Sequence, residues 1–206
     1  MTIKRVGLLK FGGQDVTIIG QDLKVGDKAP EFTVQTQDWS IVKGLGSTKG
    51  KVRIIATLPS LNTSVCERET RRFNQEAAAL GEEIAILTVS MDLPFTLKNW
   101  CAAAGIDHVT TLSDHLTAGF GKKYAVLIQD KRVFRRAIFV VNRQGVIVYV
   151  AYMPALALSL ITLPCFRQPG KPCRFKQCLP RSSSRVTHVR AGLERIGQDG
   201  RSATKI

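Results

Sequence analysis

An apolar segment that leads through a short turn into a helix constrains the fold of this chain more than any other feature. Residues 52–58 are β-branched and apolar enough for a central strand, and a polar turn follows them. From residue 67 to 80 apolar side chains recur at i, i+4 and i+7, which predicts a helix. The turn delivers Cys66 to the first residues of that helix. Unpaired N–H groups and the helix dipole favour thiolate over thiol there, and the thiolate is the nucleophile.

Strands alternate with helices along the rest of the chain, and hairpins are predicted at both ends. The other predicted strands are residues 6–11, 16–20, 32–34, 84–90, 109–112, 136–141 and 146–152. The other predicted helices are residues 94–104 and, more weakly, 114–124, whereas residues 39–51 are predicted to be irregular. This order indicates an α/β fold: a mixed sheet flanked by helices, with an N-terminal β-hairpin.

The charge of the chain is unevenly spread. The net charge is +14 over 206 residues, but residues 1–153 hold 20 Lys and Arg against 14 Asp and Glu, whereas residues 154–206 hold 10 against 2. Five of the eight prolines also lie in the second part. We therefore predict one domain over residues 1–153 and a disordered, basic tail, rich in Pro, Ser and Arg, over residues 154–206. Because Phe166 and Phe175 are its only aromatic residues, we expect no specific nucleic-acid binding.

The cysteines and the apolar runs bear on the location of the chain. Charged residues interrupt the first 20 residues, so no secretory signal is evident and we expect a cytoplasmic protein. Cys66 and Cys101 lie in the globular part, and the spacing of the three cysteines in the tail does not match a structural zinc site. Residues 146–163 carry no charge, but their first half is typical of a strand and Pro154 interrupts them. We therefore predict no membrane association, no metal and no cofactor.

Several segments of the chain resemble one known family. The spacing Pro59-x-x-x-Thr63-x-x-Cys66 resembles the active-site signature of the peroxiredoxins. Further similar segments follow in order: Arg71-Arg72-Phe73-Asn74, Ser90-Met91-Asp92-Leu93-Pro94-Phe95, Trp100-Cys101, Thr111-Leu112-Ser113-Asp114 and Arg136-Ala137-Ile138-Phe139-Val140-Val141. Together with the N-terminal hairpin they cover about residues 3–153. This text is similar to the bacterial thiol peroxidases, which are atypical two-cysteine peroxiredoxins.

The resemblance implies a thioredoxin-like fold, reduction of hydroperoxides, homodimers and thioredoxin as the reductant. In this family pattern Cys66 matches the peroxidatic cysteine, Cys101 the resolving cysteine, Thr63 and Arg136 the active-site threonine and arginine, and Pro59 the proline that shields the pocket. The chemistry fits these roles, because the Arg136 guanidinium would stabilise a Cys66 thiolate and the Thr63 hydroxyl can bond sulfur and peroxide oxygen. Because the two thiols lie on different predicted helices, we hypothesise that both segments unwind locally to form the disulfide.

Other interpretations stay open on the residues alone. A lone cysteine after a strand is commonly a buried small hydrophobe, Cys101 could be a core residue, and Arg136 could belong to a solvated basic face. Asp114 and His115 are interpreted as a surface pair. From about residue 151 to 153 onward the chain does not match the family, whose members end with an acidic, helix-forming segment. One interpretation is a working thiol peroxidase with an irrelevant tail. The alternative is a catalytically impaired or non-enzymatic product of the same fold.

Overall fold

The computed structural model describes residues 2–80 and 82–156, and all elements below belong to this part of the chain. The strands are β1 (Lys4–Phe11), β2 (Gln14–Ile19), β3 (Thr33–Gln35), β4 (Ile41–Lys43), β5 (Val52–Thr57), β6 (Ile84–Ser90), β7 (Thr110–Ser113), β8 (Leu127–Ile128), β9 (Val133–Phe134), β10 (Ala137–Val141) and β11 (Ile147–Tyr152). The α-helices are α1 (Ser64–Leu80), α2 (Pro94–Ala104) and α3 (Gly119–Lys123).

The larger of two sheets has seven strands in the order β11-β10-β5-β6-β7-β3-β4. Strands β5, β6 and β7 run parallel to one another, and the strands on either side of them pair antiparallel. Helices α1 and α2 connect the three parallel strands, because parallel neighbours require a crossover connection. The carboxyl ends of β5, β6 and β7 therefore lie at one edge of the sheet, where the loops that follow them can meet.

Neighbouring residues of β5 belong to different hydrophobic cores, so the seven-stranded sheet is covered on both faces. Ile54 packs in a core with Phe73 of α1, whereas Ile55 packs in a core with Phe120 of α3. Because successive side chains of a strand point to opposite faces, α1 and α3 cover opposite sides of the sheet. A strand buried on both faces is largely apolar, as residues 52–58 are apart from Arg53 and Thr57.

The smaller sheet has four strands, in the order β1-β2-β8-β9, and contains the N-terminal hairpin. Gly12 and Gly13 form its two-residue turn, with φ values of 59° and 83° that glycine adopts without a steric penalty. One apolar cluster packs on this sheet and is called the hairpin cluster below. It consists of Leu9, Val16, Ile18 and Ile128, with Val133 and Leu156 packed against it.

The predicted architecture is confirmed: a mixed sheet flanked by helices, with an N-terminal β-hairpin. The bounds of α2 also follow from its sequence. Pro94 opens the helix, where its missing N–H costs no hydrogen bond, and Gly105 ends it in the left-handed conformation with a φ of 64°. These two residues place Cys101 in the last turn and a half of the helix.

Three local predictions are wrong. Residues 39–51 are not wholly irregular, because β4 pairs with β3 over three residues and a 3₁₀ turn follows at Gly46–Thr48. The helix predicted over residues 114–124 is limited to α3, because Ala118 adopts a left-handed conformation with a φ of 52°. Asp114 is buried and does not form a surface pair with His115. Its Oδ2 accepts the N–H of Gly121 at 2.9 Å, and burial raises the pKa of this carboxyl group.

The first half of the uncharged residues 146–163 forms a strand, as predicted, since residues 147–152 are β11. Among the residues that the structure describes, no helix is long and apolar enough to cross a membrane. The predicted disordered tail, residues 154–206, lies outside the described residues from position 157 onward, and so do its three cysteines.

Candidate active site

The turn between β5 and α1 places Cys66 as the third residue of the helix. Thr63 caps this helix: its carbonyl oxygen accepts the N–H of Glu67 at 2.9 Å, and its Oγ1 accepts the N–H of Cys66 at 3.4 Å. Threonine is favoured at this position because its hydroxyl satisfies an N–H that the helix leaves unpaired. The cap fixes the first turn of the helix and, with it, the direction of the Cys66 side chain.

Two groups donate hydrogen bonds to the sulfur of Cys66. Oγ1 of Thr63 lies 2.7 Å from Sγ, and Nη2 of Arg136 lies 3.0 Å from it. Cys66 is fully buried. Its side chain packs in an apolar cluster made of Leu58, Leu61, Leu97 and Trp100. Burial disfavours a charged sulfur, whereas the guanidinium, the hydroxyl donor and the helix N-terminus all favour it.

Arg136 reaches Cys66 because of the pairing between β10 and β5. Ala137, the first residue of β10, lies opposite Thr57, the last residue of β5. Arg136 therefore lies beside the end of β5 from which the chain continues to Cys66. Its side chain is 2% exposed. The alternative of a solvated basic face does not describe this residue, and the structure brings it into hydrogen-bond contact with the thiol.

Glu69 is a further residue of the site, and it was not predicted from the sequence. It lies three residues after Cys66 on α1, and its Oε2 is 2.5 Å from Nη1 of Arg136. Both side chains are buried. A buried ion pair gives little net stability, but its carboxylate holds the guanidinium in one orientation. The available signal was the i, i+3 spacing, which places Glu69 on the same helix face as Cys66.

The third nitrogen of the Arg136 guanidinium also has an acceptor. Nε donates to the backbone carbonyl oxygen of Leu156 at 2.8 Å. The sulfur of Cys66, the carboxylate of Glu69 and this carbonyl therefore each bind a different nitrogen of one planar group. All three directions of the guanidinium are thereby fixed.

Asp92, in the loop after β6, holds the loop that leads to the cysteine. Its Oδ1 accepts the hydroxyl of Ser60 at 2.7 Å, and its Oδ2 accepts the N–H of Leu61 at 2.8 Å. Ser90 donates to the same carboxylate at 3.0 Å. Because β5 and β6 are parallel neighbours, their carboxyl ends bring these loops together. From the sequence alone, Asp92 belongs to a segment that resembles the family, and this contact was not predicted.

Cys101 lies on α2 in surroundings different from those of Cys66. Its side chain is buried, and its Sγ is 3.4 Å from Oγ1 of Thr111 on β7. Burial raises the pKa of this thiol, although hydrogen bonds from Thr111 and Gln37 oppose the shift. Both Cys66 and Cys101 are free thiols, so the structure corresponds to the reduced protein. The resolving role of Cys101 stays a prediction.

Pro59 lies half-buried two residues after the end of β5, between Leu58 and the turn that carries Thr63. Its role in shielding the thiol stays a prediction. Over residues 2–80 and 82–156, no three or more His, Cys, Asp or Glu side chains converge as a metal site.

Known proteins resemble this chain in sequence and in fold. The family model of the AhpC/TSA family matches residues 25–150. A thiol peroxidase of Oceanobacillus iheyensis is 54% identical over 143 residues, which are 69% of this chain and 86% of that protein. A thiol peroxidase of Bacillus subtilis is 48% identical over 145 residues, which are 70% of this chain and 86% of that protein.

Two solved structures extend the comparison. A peroxiredoxin-like protein from Aquifex aeolicus superposes with a TM-score of 0.65 at 39% sequence identity, over 77% of this chain and 91% of that one. A thiol peroxidase from Chromobacterium violaceum superposes with a TM-score of 0.67 at 20% identity, over 74% and 89%, and this likeness shows the fold alone. The predicted thioredoxin-like fold is thereby confirmed. The chain therefore belongs to the AhpC/TSA family and, within it, to the bacterial thiol peroxidases.

Proposed function

We propose that Cys66 is the nucleophile with which this chain reduces hydroperoxides, in a cycle that uses Cys101 as the second thiol. As a member of its family, the chain is a thiol-dependent peroxidase of the peroxiredoxin type. One observation carries the assignment to Cys66: its buried sulfur accepts hydrogen bonds from Thr63 at 2.7 Å and from Arg136 at 3.0 Å. An inert core cysteine needs neither donor.

The first step consumes the peroxide. The Cys66 thiolate attacks one peroxide oxygen, the O–O bond breaks, and the other oxygen leaves as hydroxide or alkoxide, which takes up a proton to give water or an alcohol. Cys66 is left as a sulfenic acid. Arg136 and Thr63 stabilise the thiolate beforehand, and the same donors can hold the two peroxide oxygens in line with the sulfur.

In the second step the Cys101 thiol gives up its proton and attacks the sulfenic sulfur, a disulfide forms, and the hydroxyl group leaves with that proton as water. The step requires movement, because both thiols are buried and free on separate helices, and Cys101 is hydrogen-bonded to Thr111. Disulfide geometry demands Cα atoms within about 7 Å. We therefore propose that the segments around both cysteines unwind locally. Equal hydrogen-exchange protection of the two segments in the reduced and the oxidised protein would contradict this step.

We propose thioredoxin as the protein that returns the disulfide to two thiols by exchange, with oxidation of its own dithiol. We also propose the cytoplasm as the location of the chain, because the proposed cycle must return both cysteines to thiols and this compartment keeps thiols reduced. A non-enzymatic product of the same fold is not favoured, because the similar proteins are thiol peroxidases.

We further propose a homodimer that forms through an apolar surface next to the site. Leu93 and Phe95 flank the start of α2 immediately after Asp92, and both are exposed. The ring of Phe95 packs edge-on against exposed Trp39, with 4.9 Å between the ring centroids. Exposed aromatic groups of this kind are typical of interfaces. A Phe95→Glu variant should sediment as a monomer, whereas Val25→Glu, a matched change at an isolated exposed residue, should not.

The test of the proposed function is a coupled assay that follows NADPH oxidation through thioredoxin reductase and thioredoxin. Hydrogen peroxide and cumene hydroperoxide serve as substrates, and a glutathione–glutaredoxin arm tests the reductant. We expect turnover with thioredoxin, its loss in Cys66→Ser, and loss of recycling in Cys101→Ser. Absence of turnover in folded wild-type protein would overturn the proposal.

A second measurement separates the roles of the two thiols. In a background with the three tail cysteines replaced by serine, Cys101→Ser should reduce one equivalent of peroxide and accumulate a sulfenic acid that dimedone traps on Cys66. Cys66→Ser should consume none. A dimedone adduct on Cys101 in the Cys66→Ser protein would reverse the assignment.

A further inference from the structure

We propose that Leu156 is a positioning residue for Arg136, so that the chain beyond β11 takes part in setting the reactivity of Cys66. The inference rests on the proposed role of Cys66 and concerns a segment outside the family match, which ends at residue 150. According to this proposal, the segment after β11 acts as part of the site and is not an irrelevant extension.

Two hydrogen bonds join the backbone of this segment to Arg136. The N–H of Met153 donates to the carbonyl oxygen of Arg136 at 2.9 Å, just after β11 ends. Three residues later the carbonyl oxygen of Leu156 accepts Nε of the same arginine at 2.8 Å. The first contact fixes the backbone of Arg136 and the second fixes its side chain.

The side chain of Leu156 anchors that carbonyl. It packs against the hairpin cluster, whose Leu9, Val16 and Ile18 are contributed by the N-terminal hairpin. The carbonyl position thus depends on apolar contacts with the small sheet. Through Leu156, the packing of this sheet is connected to the guanidinium that contacts the catalytic sulfur.

The geometry explains why the third acceptor matters. A guanidinium held only by Glu69 through Nη1 can still rotate about that contact, and Nη2 would then leave the sulfur. An acceptor at Nε removes this freedom, because the five N–H donors of arginine are rigidly coplanar. Loss of the Leu156 contact should therefore weaken the Nη2–Sγ hydrogen bond without removing the positive charge.

The experiment compares Leu156→Ala with Leu45→Ala, a matched deletion of a partly buried leucine that packs against the core around Ile55 and Phe120, outside the hairpin cluster. Single-turnover reduction of hydrogen peroxide, the pH dependence of Cys66 alkylation by iodoacetamide and the melting temperature are measured on the full chain. Both variants should melt earlier. Only Leu156→Ala should react about tenfold more slowly with peroxide and need a higher pH for half-maximal alkylation. Leu156→Met should keep the wild-type rate of peroxide reduction and the wild-type pH of half-maximal alkylation.

A backbone variant isolates the carbonyl itself. Lactic acid in place of Ala157 turns the carbonyl of Leu156 into an ester, which is a weaker acceptor, and leaves the leucine side chain unchanged. We expect slower peroxide reduction, and lactic acid in place of Ala155 is the control. Equal rates and alkylation profiles for Leu156→Ala, Leu45→Ala and the wild type would overturn this inference alone. A wild type that is alkylated at Cys66 but does not react with peroxide would overturn the proposed function as well.

Discussion

Arg136 and Glu69 form a buried ion pair in which Nη1 and Oε2 are 2.5 Å apart. Glu69 lies on α1, three residues after Cys66. The two residues are 67 positions apart in the chain, and the pairing of β10 with β5 brings them together. It aligns the guanidinium so that Nη2 meets the sulfur at 3.0 Å. Neutralisation of either partner should therefore affect both the stability and the reactivity of the thiol.

Truncation of Glu69 to alanine should be strongly destabilising, because it leaves the guanidinium buried without its carboxylate. We expect a loss of about 3–5 kcal/mol in the free energy of unfolding, measured in urea. Glu69→Gln should lose less, since its amide oxygen can still accept from Arg136. Glu67→Gln is the matched control: Glu67 pairs with Arg71 at the surface of the same helix, and its loss should cost about 1 kcal/mol or less. Equal losses in Glu69→Ala and Glu67→Gln would contradict the structural role.

Replacement of Arg136 by methionine should slow the reaction with peroxide, because the sulfur loses a charged donor. A hydrogen bond to a charged group contributes about 1.5–3 kcal/mol, so the second-order rate constant should fall roughly tenfold to a hundredfold in stopped-flow measurements. Arg132→Met, an equivalent change of a nearby arginine outside the site, should leave the rate constant unchanged. An unaltered rate in Arg136→Met would remove this residue from the mechanism.

Because the Thr63 hydroxyl serves both the helix cap and the sulfur, substitutions by serine and by valine should have different effects. Thr63→Ser keeps the hydroxyl, so both the helix cap and the donor to Sγ should survive. Thr63→Val keeps the shape but loses the hydroxyl, which should cost about 1 kcal/mol of stability and slow peroxide reduction. Stopped-flow kinetics and urea unfolding test the two effects separately. A valine variant as fast as the serine variant would show that the 2.7 Å contact does not serve the reaction.

Asp92 should prove more important than the serine it binds. Asp92→Ala removes the acceptors of both the Ser60 hydroxyl and the Leu61 N–H, whereas Ser60→Ala removes only one of these hydrogen bonds. We therefore expect a larger loss of peroxide reduction and of hydrogen-exchange protection at residues 60–62 in Asp92→Ala. If Ser60→Ala has the larger effect, Asp92 does not anchor the loop.

The sequence predicted those parts of the site that depend on local patterns. The strand before Cys66, the helix that has Cys66 in its first turn and the bounds of α2 at Pro94 and Gly105 follow from apolar periodicity and backbone preferences. The resemblance added Arg136. Strands β4, β8 and β9 were not predicted, because segments of two or three residues give only a weak pattern, although β3, which is equally short, was predicted.

The supporting contacts of the site could not be predicted, because they join residues that are distant in sequence. Glu69 meets Arg136 only after β10 pairs with β5, and Asp92 meets Leu61 only after β6 lies beside β5. The contact from Leu156 lies beyond the part that resembles the family. Strand register determines all of these contacts, and charge or spacing alone does not specify it.

The pKa of Cys101 leads to a prediction about the reduced protein. Burial raises this pKa above its ordinary value of 9.0, so the folded protein holds the proton more tightly than the unfolded chain does. The resulting stabilisation is fully present below the unfolded pKa and is lost as the pH rises through the folded one. In Cys66→Ser, with the tail cysteines also replaced by serine, Cys101 should therefore react with iodoacetamide more slowly than glutathione at pH 8. The same protein in urea should react at the rate of glutathione, since unfolding removes the burial. Fast alkylation in the folded protein would show that α2 already exposes Cys101 without oxidation of Cys66, and the proposed local unwinding would then not depend on the sulfenic acid.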